Sequence, residues 1–251
     1  MTTIDLNSDV GELPELIKDG TQDAVMACVS SVNVACGGHA GDEASILYTL
    51  KAAKRLGLAV GAHPSFPDRE NFGRTKMNLS QEALERSLIE QMRFLLRLCG
   101  TVGVSLTHVK PHGALYNQAS LDENQARVIC KVVQQVDSNL SVVGLAGSRM
   151  LEVVRREGLR AVGEAFVDRR CEADGSLRSR THKDALITDP NECLAQAKSI
   201  CASGKIRAVD GTWISLDAQT LCVHSDTPGA PRLAAAIRDG LLQERIKISP
   251  P

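Results

Sequence analysis

The chain contains 251 residues, 43% of them hydrophobic and 24% charged, which suits one barrel or one doubly wound sheet of ordinary globular composition. Its 29 basic and 30 acidic residues leave a formal charge of −1, so no nucleic-acid partner or membrane-surface patch is indicated. Residues 1–10 lack the basic start and apolar core of a secretory signal, and no apolar run approaches the roughly 18 residues of a membrane span. We therefore expect a cytoplasmic protein.

Short apolar runs rich in Val and Ala alternate along the chain with longer segments of helical periodicity. The short runs predict eight strands: Thr3–Asn7, Ser31–Ala35, Ala59–Ala62, Ser105–Val109, Ser141–Leu145, Ala161–Glu164, Lys205–Val209 and Leu221–Val223. The longer segments predict helices that include Asp42–Leu56, Gln81–Leu98, Leu121–Val136, Met150–Glu157, Pro190–Ala202 and Pro231–Gln243.

This repeated alternation predicts an α/β fold in which a parallel sheet closes into a single (β/α) barrel over residues 1–251. An open doubly wound sheet is the alternative, because sequence does not show whether the sheet closes. Two long polar stretches, Asp68–Asn78 and Cys171–Asp184, interrupt the rhythm. We predict that they are loops over one end of the fold and candidate lids.

Eight cysteines are scattered through the chain, and no C-x-x-C pair occurs among them. Most lie within apolar segments, which is typical of small reduced core residues in a cytosolic protein. Cys36 is the least certain case, because it lies beside a histidine segment.

Polar residues gather where the predicted strands end, and five of the six histidines fall there. In parallel α/β folds these ends meet on one side, where ligands bind. The segments are NSDVGE (7–12), CGGHAGD (36–42), GAHPSFPD (61–68), HVKPHGALY (108–116), EAFVDR (164–169) and HSD (224–226). We therefore predict that Asp9 and Glu12 form one wall of a shared cavity, rather than a solvated strand end.

Each polar segment also allows a purely structural interpretation. His63 could simply end a strand before a proline, and His224 with Asp226 could be ordinary loop residues. Ion pairing within Glu164–Arg169 could serve only to fix its loop. Neither a phosphate-binding G-x-x-x-x-G-K-[ST] loop nor a G-x-S-x-G elbow nor an H-E-x-x-H motif occurs.

The segment HVKPHGALY contains two histidines four residues apart, a spacing that can place two zinc ligands on one helical face. Pro111 disfavours helix at Lys110, so His108 and His112 are predicted to straddle a strand-to-turn junction instead. Lys110 is a candidate buried cation for a substrate carboxylate or phosphate, or a lysine with a depressed pKa.

Taken together, the motifs DLNSDVGE, CGGHAGDE, GAHPSFPD, HVKPHGALY, EAFVDRR and LCVHSDTPGA resemble the LamB/YcsF family from about residue 4 to about residue 245. The resemblance implies a distorted seven-stranded (β/α) barrel, similar to glycoside hydrolases and polysaccharide deacetylases. It implies ATP-dependent opening of 5-oxo-L-proline (pyroglutamate) to L-glutamate. It also implies a complex with two further subunits, B and C, of a 5-oxoprolinase.

Carried over residue by residue, the resemblance implies a set of site residues. Catalytic roles fall on Asp9, Glu12, His39, Lys110, His112, Glu164 and Arg169, and substrate contacts on Asn7, Asp42, His63, Asp168, His224 and Asp226. Barrel relatives among the deacetylases hold a divalent metal with one Asp and two His, a set that Asp9, His39 and His63 could imitate. Departures from the family pattern at Cys171, His182–Asp184 and Ser225 concern the predicted lid more than the chemistry.

Opening a lactam is difficult because the ring carbon is a poor electrophile and the nitrogen a poor leaving group. Phosphorylation of the amide oxygen by ATP would remove both difficulties, so the site needs a base for water, cations for phosphate and an acid for nitrogen. We expect Asp9 or Glu12 with His39 as the base or metal-binding wall, Lys110 and Arg169 as anion holders, and His112 as proton donor. Without a phosphate-binding loop, ATP could be bound partly by the partner subunits.

Two other functions stay open at this point. The chain could be a stand-alone metal-dependent deacetylase or hydrolase of a small amide or acylated sugar. Alternatively, it could be a non-catalytic scaffold that binds substrate for catalytic partners.

Overall fold

The fold is a closed barrel of parallel strands, and the computed structural model describes residues 2–251. Seven strands form the barrel: β1 (Thr3–Val10), β2 (Ser31–Ala35), β3 (Ala59–His63), β4 (Leu106–Val109), β5 (Ser141–Leu145), β6 (Ala161–Phe166) and β9 (Thr220–Cys222). Three strands lie outside it: β7 (Lys205–Arg207), β8 (Trp213–Ser215) and β10 (Lys247–Ile248). Because β9 pairs in parallel with both β6 and β1, the circle closes and the predicted seven-stranded barrel is confirmed.

Helices connect and surround the strands. They are α1 (Pro14–Lys18), α2 (Thr21–Met26), α3 (Glu43–Leu56), α4 (Gln81–Val102), α5 (Gly113–Ala119), α6 (Glu123–Asp137), α7 (Arg149–Arg156), α8 (Pro190–Ser203) and α9 (Ala230–Gln243). The six predicted helices are confirmed with small shifts at their ends, whereas the short helices α1, α2 and α5 were not predicted. Within residues 2–251, no helix combines the length and apolar character needed to cross a membrane.

The prediction of a barrel strand at Lys205–Val209 is wrong. The segment forms only the short strand β7, which pairs antiparallel with β8 in a two-stranded ribbon. Of its three residues only Ile206 is buried, whereas a barrel strand covered by helices would be buried on both faces. The last barrel strand is instead β9, close to the predicted strand Leu221–Val223.

Successive side chains of β1 point alternately out of the barrel and into it, so the inward ones help to fill its interior. Leu6 packs into the main hydrophobic core, whereas Asn7 and Asp9 make hydrogen bonds inside the barrel. Asn7 donates from Nδ2 to Oε1 of Glu164 at 2.9 Å, although β1 and β6 are not neighbouring strands. Asn33 on β2 donates to the side-chain oxygens of both Asn7 and Asp9. The barrel interior is therefore polar, and the apolar core lies between the strands and the helices.

All eight cysteines are free thiols, as the sequence predicted. Seven are buried and Cys201 is partly buried. Cys36, the uncertain case, is also buried, and its Sγ lies 3.3 Å from the carbonyl oxygen of Val34. Burial raises the pKa of every one of these thiols, so they are unreactive core residues.

Candidate active site

Polar side chains from the carboxyl ends of several strands meet in one buried group. Each is at most 8% exposed, so the group is closed to solvent in this structure. Gly11 helps to bring Glu12 into the group, because it turns the chain directly after β1. Its φ of 74° lies in the region that favours glycine. The predicted site residues in the group are Asn7, Asp9, Glu12, His39, His63, Lys110, His112 and Glu164.

Four of these residues form a compact cluster, here called the histidine group: Glu12, His39, His63 and His112. Oε1 of Glu12 lies 2.9 Å from Nε2 of His39, 3.2 Å from Nδ1 of His112 and 3.7 Å from Nε2 of His63. The rings of His39 and His112 stack at 3.7 Å between centroids. A single carboxylate oxygen is thus surrounded by three imidazole nitrogens.

Backbone carbonyls fix how two of these rings are protonated. Nδ1 of His63 lies 2.7 Å from the carbonyl oxygen of Lys110, and Nε2 of His112 lies 2.9 Å from that of Phe72. Because a carbonyl oxygen can only accept, both nitrogens carry hydrogen, and a neutral ring then presents a lone pair at its other nitrogen. Those inner nitrogens of His63 and His112 face each other at 2.9 Å. Two lone pairs at this distance repel, so the pair requires a shared proton or a bound cation.

Burial and neighbouring charges separate the proton affinities of the three rings. Burial, helped by the charge of His112, lowers the pKa of His39 to about 4, and burial also lowers the pKa of His112. Burial acts in the same direction on His63, but the carboxylates of Asp9 and Glu12 outweigh it and raise the pKa of this ring. A proton shared by the facing nitrogens therefore belongs mainly to His63.

Beside the histidine group lies a second network, centred on Lys110. Its Nζ lies 2.9 Å from Oδ1 of Asp9 and 2.8 Å from Oε1 of Glu164. Asn33 donates a further hydrogen bond to Asp9, and Asn7 donates one to Glu164. Burial alone would lower the pKa of Lys110, but the charges of Asp9 and Glu164 raise it well above its ordinary value. Lys110 is thus a fixed positive charge that is already paired.

His224 extends this network toward the rim of the barrel. Its backbone N–H and Nδ1 both donate to the buried carboxylate of Asp168, at 2.9 and 3.0 Å, and Thr227 donates to the same carboxylate. The ring stacks on Phe166 at 5.4 Å. Because Nδ1 is used by Asp168, the free nitrogen of His224 is Nε2.

The predicted lid Asp68–Asn78 lies over the histidine group. The ring of Phe72 contacts His39 and His112 edge-on, with centroid separations of 5.3 and 5.4 Å. Phe72 has a φ of 55°, which is strained for an aromatic residue, and Gly73 follows with a φ of 64°. The segment therefore covers the histidine group with a strained residue in direct contact with two of its rings.

Two surface hollows lie outside the buried group. The larger, of about 730 Å³, is bordered by α8 and the β7–β8 ribbon, where Trp213 is 58% exposed. The smaller, of about 560 Å³, is lined by Asp42, among others. Asp42, predicted to contact substrate, is exposed and caps α3, since its Oδ1 accepts from the backbone N–H of Ser45 at 2.8 Å. The structure therefore does not bring Asp42 to the other site residues.

Two groups of residues within 2–251 have the spacing to hold a metal, and each shares one or two residues with the predicted set of Asp9, His39 and His63. One oxygen or nitrogen from each of Glu12, His39, His63 and His112 lies within 4.8 Å of the others. Asp9 belongs instead to a second such group, with Cys222 and His224, and its Oδ1 accepts hydrogen bonds from Lys110 and Asn33. Its Oδ2 is still 3.4 Å from Nε2 of His63.

Sequence reasoning missed four residues that shape the site: Asn33, Phe72, Arg74 and Arg180. Asn33 gave a usable signal, since it is the one amide within the apolar strand SVNVA. The two arginines lie in the predicted lids, where charged residues suggest ordinary solvated loops. In the structure both contact Asp226 at the rim, close to the buried Arg169.

The chain is similar over its whole length to proteins of one known family. The model of the LamB/YcsF family matches residues 4–251. A relative from Chloroflexus aurantiacus, named as the A subunit of 5-oxoprolinase, is 46% identical over 251 residues, which is 100% of this chain and 99% of the relative. The crystal structure of a lactam utilization protein from Thermus thermophilus is 39% identical, with a TM-score of 0.89 and 99% of both chains covered.

A more distant likeness concerns the fold alone. A family 4 carbohydrate esterase from Streptomyces lividans is 10% identical with a TM-score of 0.53, over 98% of this chain and 91% of the esterase. The likeness shows that the two proteins share a similar fold. Since the family model and the whole-chain relatives agree, the chain belongs to the LamB/YcsF family.

Proposed function

We propose that this chain is the A subunit of an ATP-dependent 5-oxoprolinase, which opens 5-oxo-L-proline to L-glutamate while ATP is hydrolysed to ADP and phosphate. Relatives that match the whole chain carry that name, and a solved relative is named for lactam utilization. The observation that carries the proposal is the enclosed histidine group beside a charged lysine. Such a site can move protons and hold charge on a small amide away from water.

The reaction needs one phosphoryl transfer and two waters. ATP phosphorylates the lactam oxygen, which makes the ring carbon open to attack by water. The C–N bond of the adduct then breaks, and the nitrogen leaves with a proton. Hydrolysis of the resulting acyl phosphate by a second water gives glutamate and phosphate.

While no metal occupies the histidine group, the order of the pKa values of His63 and His112 supports an assignment of the proton transfers. Neutral His112, whose Nε2–H donates to the carbonyl oxygen of Phe72, accepts a proton from the attacking water at Nδ1, although the sequence suggested His112 as a donor. His63, whose pKa is raised, donates a proton to the departing nitrogen. The 2.9 Å between their facing nitrogens lets the proton return between steps. Lys110 supplies a fixed positive charge beside the reacting group.

The histidine group also fits a divalent metal. Three imidazole nitrogens and one carboxylate oxygen are a donor set typical of zinc and similar ions, and the carbonyl partners of His63 and His112 leave the inner nitrogens free to bind. Glu12, His39, His63 and His112 would hold the ion. When bound, it would polarise the lactam oxygen and lower the pKa of a water.

ATP and the remaining subunits enter the proposal together. The sequence contains no G-x-x-x-x-G-K-[ST] loop. We therefore place part of the nucleotide site on subunits B and C, with this chain providing the lactam site.

A reconstituted complex of this chain with subunits B and C tests the proposal. We expect glutamate formation that requires both ATP and 5-oxoproline. Glu12→Gln should reduce the rate about a hundredfold or more, since it removes the negative charge that lies among the three imidazole nitrogens. The matched control Glu123→Gln exchanges a surface glutamate and should keep the normal rate. Equal rates for the two variants would refute the assigned site.

The isolated chain separates the alternatives. With a divalent metal and acetylated substrates but no ATP, we expect no turnover, and product formation would favour a stand-alone deacetylase or hydrolase. If Glu12→Gln leaves the turnover of the complex unchanged while 5-oxoproline still binds the isolated chain, a scaffold role would replace catalysis.

Metal content needs its own measurement. We expect elemental analysis of protein purified without chelators to show about one divalent ion per chain, and a His63→Gln variant to lose it. Thermal unfolding of chelator-treated protein should shift upward when zinc or manganese is added back. If no metal is found and no shift occurs, the facing histidines share only a proton.

A further inference from the structure

Three arginines converge at the rim of the barrel, next to the closed site. Arg74, from the lid over the histidine group, places Nη2 2.6 Å from Oδ2 of Asp226. Arg180, from the second predicted lid, places Nη1 3.1 Å from the same oxygen and Nη2 3.4 Å from Oδ1. Two distant loops therefore direct their guanidinium groups to one carboxylate that follows β9.

The third arginine, Arg169, is 93% buried beside them. Its Nη2 donates to the carbonyl oxygen of Arg178 at 2.7 Å, but its Nε is buried without a hydrogen-bond partner. Burial and the charges of Arg180 and Arg74 lower the pKa of Arg169 to about 10. A buried donor left unpaired is costly, so this arrangement suits a missing acceptor.

The charges of this arginine cluster do not balance. Arg74 and Arg180 share the single carboxylate of Asp226, and within residues 2–251 the carboxylate of Asp168 makes no ion pair with any of the three arginines. Asp168 is occupied instead by His224 and Thr227. The cluster thus has the capacity for a further monoanion, and a carboxylate is already shown to fit the guanidinium groups.

The cluster lies one aromatic ring away from the histidine group. The guanidinium carbon of Arg74 is 4.7 Å from the centre of the Phe72 ring. That ring centre is in turn 5.3 Å from His39 and 5.4 Å from His112. A ligand bound to the arginines therefore needs only the displacement of Phe72 to reach the histidines.

We propose that Arg74, Arg169 and Arg180 form the subsite for the carboxylate of 5-oxo-L-proline and determine specificity for lactams that carry a carboxylate beside the ring nitrogen. This inference rests on the proposed function. Asp226 holds two of the guanidinium groups in place until the substrate arrives. Binding the carboxylate at the rim directs the lactam amide toward the histidine group, and bidentate pairing fixes its orientation.

The subsite explains how a small lactam is selected. A ring without a carboxylate, such as 2-pyrrolidone, leaves the arginine cluster with an unmatched charge and an unpaired Nε. A site built to pair a polar group rejects the analogue that lacks it far more strongly than a hydrophobic pocket rejects a missing methylene. The arginines, not the histidine group, therefore distinguish 5-oxoproline from 2-pyrrolidone.

The test combines two ligands with two variants. Arg180→Gln removes an arginine of the cluster, and Arg178→Gln is the matched control in the same loop, because Arg178 pairs with Glu172 and Asp184 instead. In the reconstituted complex we expect Arg180→Gln to raise KM for 5-oxoproline about tenfold to a hundredfold. This is the effect expected when one or two charge-assisted hydrogen bonds to the substrate are lost. KM for ATP should stay normal, and Arg178→Gln should behave like the parent protein.

A binding measurement keeps the inference independent of turnover. Thermal unfolding of the isolated chain should shift upward with 5-oxoproline, not with 2-pyrrolidone, and the shift should be lost in Arg180→Gln and in the second variant Arg74→Gln. If the variants instead raise KM for ATP alone, the cluster binds a phosphate and the inference is wrong. Equal stabilisation by both lactams would also overturn it. A parent complex that makes no glutamate refutes the proposed function, and the binding shifts still decide the subsite.

Discussion

Exchanging Lys110 for methionine tests whether the positive charge of Lys110 stabilises the buried carboxylates of Asp9 and Glu164. Methionine keeps much of the length of the side chain but removes the ammonium group that lies 2.9 Å from Asp9 and 2.8 Å from Glu164. Both carboxylates stay buried without their cation. From the sequence alone, Lys110→Met would be expected to abolish turnover while the chain stays folded. From the structure we also expect that Lys110→Met greatly lowers the free energy of unfolding.

The size of that loss follows from the burial. Breaking a buried ion pair by removing one partner costs about 3–5 kcal/mol, because the remaining charge is left uncompensated. At about 2–4 °C per kcal/mol for a chain of this size, the melting temperature should fall by roughly 6–20 °C. Lys131→Met is the control, since Lys131 pairs with Glu85 at 2.7 Å but its side chain is 59% exposed. Its melting temperature should hardly change.

Differential scanning calorimetry of both variants at pH 7 gives the comparison. Adding Glu164→Gln to Lys110→Met should restore part of the lost stability, because one unpaired carboxylate is then neutral. Turnover should stay absent in the double variant, which separates the catalytic loss from the loss of stability. If Lys110→Met melts at the same temperature as Lys131→Met, the two carboxylates do not depend on this cation and the described network is wrong.

Three further predictions concern the lid, the histidines and the thiols. Gly73→Ala should destabilise the chain and lower activity, because an added Cβ would lie 2.8 Å from Cβ of His39. The control is Gly57→Ala. Gly57 has a similar positive φ but open space around it, so this substitution should affect stability alone. Burial, with the charge of Lys110, lowers the pKa of His108 to about 3, so this ring favours folding above pH 6.5 and that stability is lost as the pH falls. Urea unfolding of His108→Gln should therefore lose about 1.4 kcal/mol less than the parent between pH 7.5 and 5.5; an unchanged pH dependence would contradict a buried neutral ring. A thiol reagent at pH 8 should modify almost none of the eight cysteines before unfolding and all of them afterwards, and fast native labelling would contradict their burial.

Much of the site was predictable because parallel strands impose a rule. Residues that follow such strands meet at one end, so Asp9, Glu12, His39, His63 and Lys110 could be grouped from their positions after apolar runs. Closure of the sheet could not be read in this way, because it depends on the pairing of β9 with β1 and not on local pattern. The prediction of a barrel strand at Lys205–Val209 was wrong for a related reason. Its apolar alternation suits an exposed ribbon as well as a barrel strand.

Other residues lie elsewhere than expected, or were missed, because one residue type serves two purposes. Asp42 after HAG suits a substrate contact and a helix cap equally, and only the bond to Ser45 shows that it caps α3. Arg74 and Arg180 belong to polar loops whose sequence is typical of solvated surface. Their convergence on Asp226 arises from two loops about a hundred residues apart, a distance that no local pattern spans.

A crystal structure of this chain with 5-oxo-L-proline bound tests the central claim most directly. We expect Phe72 to be displaced, the lactam amide to lie against Glu12 and His112, and the carboxylate to face Arg180. A ligand found instead in the hollow beside Trp213, with the histidine group still covered, would contradict the assignment of the active site.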